Sequence, residues 1–508
     1  MKRIFALLLT LVLVIALVGC GKPKREVIQL TLSTEDAEAI LNAAGIYLPD
    51  AETVSCKDTV IRLYGYRNDL QNYSEQEMLQ TGYWTFKEKY GCDIEWIECT
   101  FGERWTTLAN LLLADDVSDF YAAWATDFPY YSIKGMFQPV DDYIDYSDPL
   151  WSEMKYMADT YFSVGGKHYV FITDVIANCV VVYNRKQMDE LGFDDPAELF
   201  YNNEWTWDKM MEMSLDYTDA EEGRYAFNAW HTEEALFSST GTYLVELDTE
   251  TGKFVSNLDD PRIERASNWL YEVMKNELCF PMWTNGWTLN YEAEGGGMKE
   301  GKTLFAMDPW YVFDECRSAE EYDAIFGDIR AGELMIVPVP RDPNGDGEYY
   351  IDSKIKGYNL INGAPHPEAV ALLAACDRFK TVDPTVTSFD RRQLQEKKGW
   401  TEEMLDMWDT MYEIAHSHNT QIIFGEGLGD RVAPIVDTII NYTRNSDSTF
   451  TQRKEDGRGS GNQVVPTNDK SNNNPALMLC HQGGIFCNIY AFISSASLVA
   501  IASRNSSE

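Results

Sequence analysis

Strands and helices alternate in the pattern of apolar and polar residues that follows residue 58. The segment Thr59–Tyr66 is rich in β-branched and aromatic residues and alternates enough to predict a strand. The pattern then predicts a helix over Glu75–Tyr90, a strand over Asp93–Glu98, a helix over Trp105–Ala114 and a strand over Asp119–Trp124. Strands and helices in this order favour parallel pairing, with the helices on the faces of the sheet.

The same alternation continues to about residue 380. Further strands are predicted over Lys167–Ile172, Cys179–Tyr183, Lys302–Met307, Glu333–Val337 and Tyr358–Ile361. Further helices are predicted over Arg185–Leu191, Trp207–Tyr217, Pro261–Asn276 and Glu368–Arg378. The pattern therefore predicts an α/β chain with two or more sheets, and a length of 508 residues is typical of two or more domains.

The N-terminal segment has the features of a secretory signal. Lys2 and Arg3 precede an uncharged apolar run over Ile4–Val18, which Gly19 and Cys20 follow. Fifteen residues at ~1.5 Å each are short for a bilayer core of ~30 Å, so a signal peptide is favoured over a permanent span. The run ends in the sequence LVGC, which resembles a bacterial lipobox. This resemblance implies that Cys20 is lipidated and holds the protein outside the cytoplasmic membrane. An ordinary signal peptide with an incidental cysteine is the alternative.

The net charge of the chain restricts the class of ligand that it can bind. The chain has 42 basic and 81 acidic residues, a formal net charge of −39, which argues against nucleic acid as a partner and disfavours anionic ligands. A 45% share of apolar residues excludes wholesale disorder, and 14 Trp and 29 Tyr make aromatic side chains plentiful. Residues 445–508 differ in composition, being rich in Asn, Ser and Gly before an apolar run over Ile485–Ala502, and are predicted to be a disordered tail. That run is either a weak membrane-seeking segment or a sequence foreign to the folded body.

The chain carries no strong motif for a cofactor, a metal or catalysis. Nine cysteines remain after Cys20, without a C-x-x-C pair, so neither a disulfide scaffold nor a zinc site is predicted. Cys92 and Cys99 could bridge locally or remain free thiols. The segment Asp342–Glu348 places carboxylate-type ligands as a calcium loop does, but the twelfth position is Ser353 and a plain turn is predicted. His416 and His418 have no third ligand nearby in the sequence and are predicted to lie at the surface.

Seven segments, in chain order, resemble the extracellular solute-binding protein family 1, the maltose-binding-protein-like receptors of ABC importers. They are Glu88–Gly91, Leu111–Asp119, Gly135–Ile144, Val181–Lys186 with Leu191–Phe193 and Trp205–Asp208, Gly301–Met307 with Pro309–Trp310, Val337–Pro340, and Asn362–Ala369. The resemblance covers the chain to about residue 380 and becomes loose beyond it.

The resemblance implies an α/β fold of the type II periplasmic-binding-protein class, in which two lobes joined by a hinge enclose a ligand cleft. The chain would cross between the lobes near Thr173–Ile176 and return near Ile355–Gly357. We therefore predict a signal peptide over residues 1–19, an anchor and tether over 20–57, and a tail over 445–508. The first lobe would comprise residues 58–173 and 357–398, and the second lobe 174–356 and 399–444.

Aromatic and polar residues placed directly after strands are the candidates for ligand contacts, because strand ends face the cleft in this fold. A flat aromatic ring covers the C–H face of a pyranose, while carboxylates and amides bind its hydroxyl edge. Trp310 also matches a position at which members of the family stack an aromatic ring on sugar. The predicted ligand-binding residues are Tyr66, Arg67, Trp124, Asp127, Asp174, Asn178, Trp230, Trp310 and Tyr311; Trp283 and Trp287 are weaker candidates.

The leading hypothesis is a lipid-anchored receptor that captures an uncharged oligosaccharide and delivers it to the permease subunits of an ABC importer. No bond is broken in this function, so neither a catalytic residue nor a cofactor or metal is predicted. An extracellular glycoside hydrolase is the first alternative, because carboxylates and aromatics also suit paired-acid hydrolysis. A receptor for peptides or polyamines is the second, because the acidic surface attracts cations.

Overall fold

Two β-sheets organise the chain in the computed structural model, which describes residues 34–68, 70–71, 79–123, 127–229, 232–279, 297–309, 316–444 and 449–455. The strands are β1 Val60–Gly65, β2 Asp93–Glu98, β3 Phe120–Ala122, β4 Ser163–Val164, β5 Lys167–His168, β6 Val170–Ala177, β7 Cys179–Asn184, β8 Tyr225–Ala229, β9 Val245–Asp248, β10 Lys253–Ser256, β11 Thr303–Pro309, β12 Leu334–Val337, β13 Ile351–Leu360 and β14 Thr420–Ile422.

Helices surround the two sheets. They are α1 Thr34–Ala43, α2 Gly82–Tyr90, α3 Arg104–Leu113, α4 Tyr130–Ile133, α5 Lys155–Tyr161, α6 Arg185–Leu191, α7 Pro196–Tyr201, α8 Trp207–Tyr217, α9 Thr232–Ser238, α10 Pro261–Lys275, α11 Ala319–Ile325, α12 Pro367–Val382, α13 Pro384–Glu396, α14 Glu402–Ala415, α15 Gly429–Arg444 and α16 Phe450–Glu455. A 3₁₀ turn over Ser152–Met154 precedes α5.

The first sheet has the strand order β14-β13-β3-β1-β2, with β6 also paired to β13, and it forms the first lobe. Strand β1 is parallel to β2 and to β3, as the sequence predicts. Ile61 and Leu63 are buried on the face that packs against α2 and α12. Tyr64 is buried on the opposite face, with Leu108 of α3. Successive side chains of a strand point to opposite faces of the sheet. Strand β1 can therefore bury apolar side chains against a layer of helices on each face.

Helix α2 shows how local sequence sets an element boundary in this lobe. The Thr81 side chain accepts a hydrogen bond from the backbone N–H of Trp84 at 3.1 Å and caps the first turn. The helix ends at Gly91, whose φ of +68° is a left-handed conformation that favours glycine. A Cβ at Gly91 would also lie 2.1 Å from Asp58 Oδ1, so a side chain there would require the Asp58 carboxylate to move.

The second sheet has the strand order β12-β7-β11-β8 and forms the second lobe. Every residue of β7 is buried, because the sheet is covered on both faces. Val182, Phe305 and Ile336 pack in its core with the fully buried Trp205. The indole N–H of Trp205 donates to the Pro338 carbonyl at 2.9 Å, which satisfies the one polar group that this side chain buries.

The lobes are joined by two antiparallel strands, β6 and β13, that run from one sheet towards the other. Their pairing extends from Ser353 opposite Ala177 to Asn359 opposite Val170, with a shift of register between Lys356 and Gly357. Only Asn178 separates β6 of the first sheet from β7 of the second. The two segments predicted as crossings, residues 173–176 and 355–357, lie in this pair of strands.

The folded body extends beyond both predicted ends, which corrects the assignment for residues 34–57 and 449–455. Ala37 and Leu41 of α1 are buried, and Ile46, Leu48 and Val54 pack against the core of the first lobe. Burial of these apolar side chains against the first lobe stabilises the segment. Residues 34–57 are therefore part of the folded body and do not form a tether. At the other end, helix α16 is fixed to α10 by hydrogen bonds from Thr451 to Glu264 and Asn268.

Strand β13 begins at Ile351, seven residues before the predicted start at Tyr358. Cys20 and residues 456–508 lie outside the described residues. Among the helices that are described, none is both long and apolar enough to span a bilayer.

Candidate functional site

The ends of four strands, two from each lobe, meet at the crossover. In the first lobe β1 and β3 are parallel, and the N–H of Ala123, just after β3, donates to the Gly357 carbonyl at 2.8 Å. In the second lobe β8 and β11 are parallel, and Pro309 at the end of β11 lies opposite Cys179. Ligands of open α/β sheets bind beyond the carboxyl ends of the strands. The candidate site is therefore the region between the lobes at the crossover.

Tyr66 places a partly exposed aromatic surface at the end of β1. Its ring meets the Phe101 ring edge-on, with centroids 5.0 Å apart, and Phe101 is 52% exposed. The guanidinium carbon of Arg104 lies 3.8 Å from the Phe101 ring centroid, so a cation backs these rings. Arg67, the next residue after Tyr66, is exposed. Rings of this kind can cover the apolar face of a sugar.

Asp127 lies buried near the end of β3, together with two residues that the sequence analysis did not identify. Burial raises the pKa of Tyr121, the Asp127 charge raises it further, and Arg104 lowers it, so the three side chains share one environment. Arg104 is 4% exposed and donates to the Phe101 carbonyl. Arg104 is the first residue of α3 and follows the carboxyl end of β2. This position in the sequence could have marked Arg104 as a candidate for the site. The three groups offer acceptors and donors suited to hydroxyl groups.

The structure places Asp174 and Asn178 in the crossover, where both bond to protein groups. Asp174 accepts a hydrogen bond from the Tyr412 hydroxyl at 2.8 Å and lies 3.6 Å from the Lys356 ammonium. The Asn178 side chain donates to Asp352 Oδ2 at 2.7 Å, and its backbone N–H donates to the Asp352 carbonyl at 2.7 Å. Both residues therefore hold the crossover strands together, and a direct ligand contact by either stays a prediction.

The remaining candidates, Trp124, Trp230, Trp310 and Tyr311, lie outside the described residues, as do Trp283 and Trp287. The described strands that lead to the first four are β3, β8 and β11, which end at Ala122, Ala229 and Pro309. The roles of all these aromatic residues stay predictions.

The segment Asp342–Glu348 is a turn, as predicted. Asp342 is buried and its Oδ2 accepts a hydrogen bond from Arg265 Nε at 2.9 Å, while its Oδ1 accepts from the Asn344 N–H at 2.9 Å. Asp346 accepts from the Tyr350 hydroxyl at 2.7 Å. Protein donors therefore occupy the Asp342 and Asp346 carboxylates, two of the groups that a calcium ion would need. Within the described part of the chain, no group of three or more His, Cys, Asp or Glu side chains is arranged to hold a metal.

Two other expectations are settled by position in the fold. Cys92 and Cys99 stand at opposite ends of the six-residue strand β2, roughly 20 Å apart, which is too far for a disulfide. Both are free thiols. His416 was expected at the surface, but its side chain is only 6% exposed. It lies against the crossover because the C-terminal end of α14 reaches that point.

Comparisons with known proteins identify the class of fold. No protein-family model matches the chain, and no curated protein sequence is significantly similar to it. An ABC substrate-binding protein from Listeria monocytogenes in complex with cycloalternan is 13% identical, with a TM-score of 0.52 over 78% of this chain and 99% of its own. A cyclo/maltodextrin-binding protein complexed with maltotetraose is 15% identical, with a TM-score of 0.53 over 80% of this chain and 96% of its own.

A third similar structure is the galacto-N-biose/lacto-N-biose I-binding protein of the ABC transporter from Bifidobacterium longum. It is 15% identical, with a TM-score of 0.52 over 78% of this chain and 94% of its own. The chain therefore has the two-lobe α/β fold of ABC solute-binding proteins. The fold class predicted from the sequence is confirmed.

Proposed function

We propose that the protein is an extracytoplasmic, lipid-anchored solute-binding protein that captures a carbohydrate of oligosaccharide size for an ABC importer. The observation that carries the proposal is the convergence of β1, β3, β8 and β11 on the crossover between two lobes. The rings of Tyr66 and Phe101 and the polar group of Asp127 at these ends fit the faces and edges of a sugar. The similar structures are of proteins that bind cycloalternan, maltotetraose and lacto-N-biose.

Capture by two lobes needs no chemical step. A ligand that contacts both lobes stabilises the closed arrangement over the open one by its difference in affinity for the two. The permease can then distinguish loaded from empty receptor by the arrangement of the lobes. A net charge of −39 repels anions, which favours an uncharged ligand over phosphorylated or acidic sugars.

A thermal-shift screen against neutral mono- and oligosaccharides tests the proposal. A ligand that binds only the native state raises the free energy of unfolding by mass action, by about 2.7 kcal/mol when its concentration is 100 times Kd. The midpoint of thermal unfolding rises as a result. We expect at least one oligosaccharide to raise the midpoint, with a change in tryptophan fluorescence and no sugar product. Sustained release of product would instead identify a glycoside hydrolase. A shift with polyamines or peptides alone, abolished by salt, would identify a cation receptor.

Trp310→Ala is expected to weaken binding of the sugar found in that screen by about 1–3 kcal/mol, the usual result of truncating a stacked aromatic anchor. Isothermal titration calorimetry measures the change. Tyr201→Ala is the matched control, because Tyr201 is a 58% exposed aromatic on α7, away from the strand ends. Unchanged affinity in a folded Trp310→Ala protein would remove Trp310 from the site.

Cys20→Ser is expected to release the protein from the membrane, because a serine cannot carry the acyl chains that the lipobox resemblance implies. Fractionation of cells that express the two forms measures the effect. A variant that stays with the membrane would contradict lipidation at Cys20 and direct attention to the apolar run at residues 485–502.

A further inference from the structure

The N-terminal segment, residues 34–57, is held on the first lobe by apolar packing and hydrogen bonds. Leu48 packs on the core of that lobe, and the Tyr90 hydroxyl donates to the Pro49 carbonyl at 2.8 Å. In the proposed function this segment connects the lipid anchor to the folded body. Cys56 lies at the end of the segment, just before β1. A covalent bond from Cys56 to the lobe would therefore fix the point at which the anchored segment joins it.

Cys56 lies next to Cys92, the residue that precedes β2. The Cys92 thiol donates to the Cys56 carbonyl, with its sulfur 3.2 Å from that oxygen. A carbonyl oxygen lies ~2.4 Å from the Cα of its own residue, so the Cys92 sulfur is within ~5.6 Å of the Cys56 Cα. The Asp93 N–H donates to the Thr59 carbonyl at 3.0 Å and holds the two segments side by side. Since a disulfide joins Cα atoms up to about 7 Å apart, a small movement of this turn would allow one.

The two thiols differ in their access to solvent. Cys56 is partly exposed, whereas Cys92 is fully buried. Both are free thiols in the structure. Burial raises the pKa of each thiol, and the neighbouring Cys92 raises the pKa of Cys56 further. An oxidant in solution can therefore reach Cys56 first, and Cys92 is the neighbour that can react with it next.

A third cysteine, Cys376 of α12, lies near the buried member of the pair. Burial is the main cause of its raised pKa, and Cys92 contributes to the shift. The Cys376 side chain is 0% exposed, as is that of Cys92, so an oxidant in solution reaches neither of them in the folded protein. Partial exposure therefore distinguishes Cys56 as the residue at which oxidation begins.

We propose that Cys56 and Cys92 form a redox modification site, at which a low-molecular-weight disulfide joins the N-terminal segment covalently to the start of β2. The Cys56 thiolate attacks the oxidant, forms a mixed disulfide and releases one thiolate. The Cys92 thiolate then attacks the Cys56 sulfur and releases the second. The two protein thiols lose two protons and two electrons in total, and the oxidant is reduced to two thiols.

The bridge would close a loop of 37 residues that contains β1 and α2. A cross-link of this kind stabilises the folded protein by restricting the unfolded chain. Its formation in the purified protein is independent of the proposed function. Its formation in the cell rests on the proposed extracytoplasmic location, because thiols are oxidised in such compartments and kept reduced in the cytosol.

Oxidation is tested on the purified, ligand-free protein with oxidised glutathione. We expect the intact mass to fall by about 2 Da, and non-reducing proteolysis to release a peptide that joins Cys56 to Cys92. The rate should rise about tenfold per pH unit near neutral pH, because the thiolate is the attacking species. Cys92→Ser should stop at a glutathione adduct on Cys56. Cys99→Ser is the matched control, because Cys99 is a partly exposed cysteine at the other end of β2, and it should still form the linked peptide.

Thermal unfolding measures the effect of the bridge on stability. We expect the midpoint of the oxidised protein to lie about 3 °C or more above that of the reduced protein. Oxidation should leave the midpoint of Cys56→Ser unchanged. This variant alters a partly exposed position, so it keeps the experiment decisive if the buried Cys92→Ser does not fold.

The outcomes distinguish this proposal from the proposed function. If the unmodified protein stops at a glutathione adduct, keeps both thiols, or links Cys92 to Cys376, the proposed site is wrong. A protein that binds sugar with both thiols free would retain the receptor assignment and contradict the bridge. A protein that forms the bridge and binds no sugar would do the reverse.

Discussion

Arg378→Ala is expected to lower the free energy of unfolding by about 2–4 kcal/mol, because it removes a buried guanidinium that donates to two carbonyls and pairs with a half-exposed carboxylate. The Arg378 side chain is 1% exposed and pairs with Glu153. Its Nε donates to the Leu150 carbonyl at 3.1 Å and its Nη1 to the Thr173 carbonyl at 3.3 Å. Alanine would leave both carbonyls without this donor and would open a cavity between α12 and β6. Urea unfolding followed by tryptophan fluorescence measures the change.

Arg330→Ala is the control for this experiment. Arg330 also pairs with a carboxylate, Glu320 at 3.3 Å, but its side chain is 52% exposed. Pairs of this kind contribute about 0–1 kcal/mol, so the control should unfold almost as the unmodified protein does. If Arg378→Ala loses less than about 1 kcal/mol, the network does not stabilise the junction of the first lobe with the crossover.

Elements with strong local signals could be predicted from the sequence to the residue. Helix α6 was predicted with its observed bounds, since Asn184 caps it by accepting from the Gln187 N–H at 3.0 Å and Gly192 ends it in a left-handed conformation. Helix α8 was also predicted with its observed bounds, since the Thr206 side chain caps it. Capping and periodicity are properties of adjacent residues, so they are readable without knowledge of the rest of the fold.

The first seven residues of β13, from Ile351, could not be predicted, because their burial depends on contacts with distant residues and not on adjacent ones. Asp352 and Ser353 are polar and interrupt the apolar pattern, yet both are buried at the crossover. Asp352 is accommodated because Asn178, the residue between β6 and β7, donates to it. Contacts of this kind depend on the assembled lobes, and no periodicity in the sequence reports them.

The residues of the candidate site also fall into two groups, those that local sequence can predict and those that it cannot. The positions of Tyr66 and Asp127 near the crossover could be predicted, because residues that follow parallel strands lie at the same edge of a sheet, and their contact with a ligand stays a prediction. Arg104 was missed and the burial of His416 was not predicted, because the surroundings of both residues come from distant parts of the chain. The sequence suggested His416 and His418 as a pair, but the first faces Glu153 and the second faces Tyr156. Two histidines that are two residues apart in the sequence need not share a partner.

Gly357→Ala is expected to lower the free energy of unfolding by about 2–4 kcal/mol, because the crossover has no room for a methyl group. A Cβ at Gly357 would lie 2.2 Å from the Phe171 carbonyl oxygen and 3.2 Å from the Ile172 Cα. These are backbone atoms of the paired strand β6, so they cannot rotate away as a side chain could. Relief requires β13 to separate from β6 next to the shift of register at Lys356. Thermal unfolding measures the cost.

The same substitution should also weaken ligand binding, which distinguishes it from damage elsewhere in the core. The Gly357 carbonyl accepts the Ala123 N–H at the end of β3, so moving β13 displaces a strand end that leads to the site. Gly102→Ala is the control, since a Cβ there meets nothing within 4 Å. If Gly357→Ala unfolds at the temperature of that control, β13 can shift at little cost. The crossover would then be a compliant joint, and the fixed convergence of strand ends on which the proposed site depends would be contradicted.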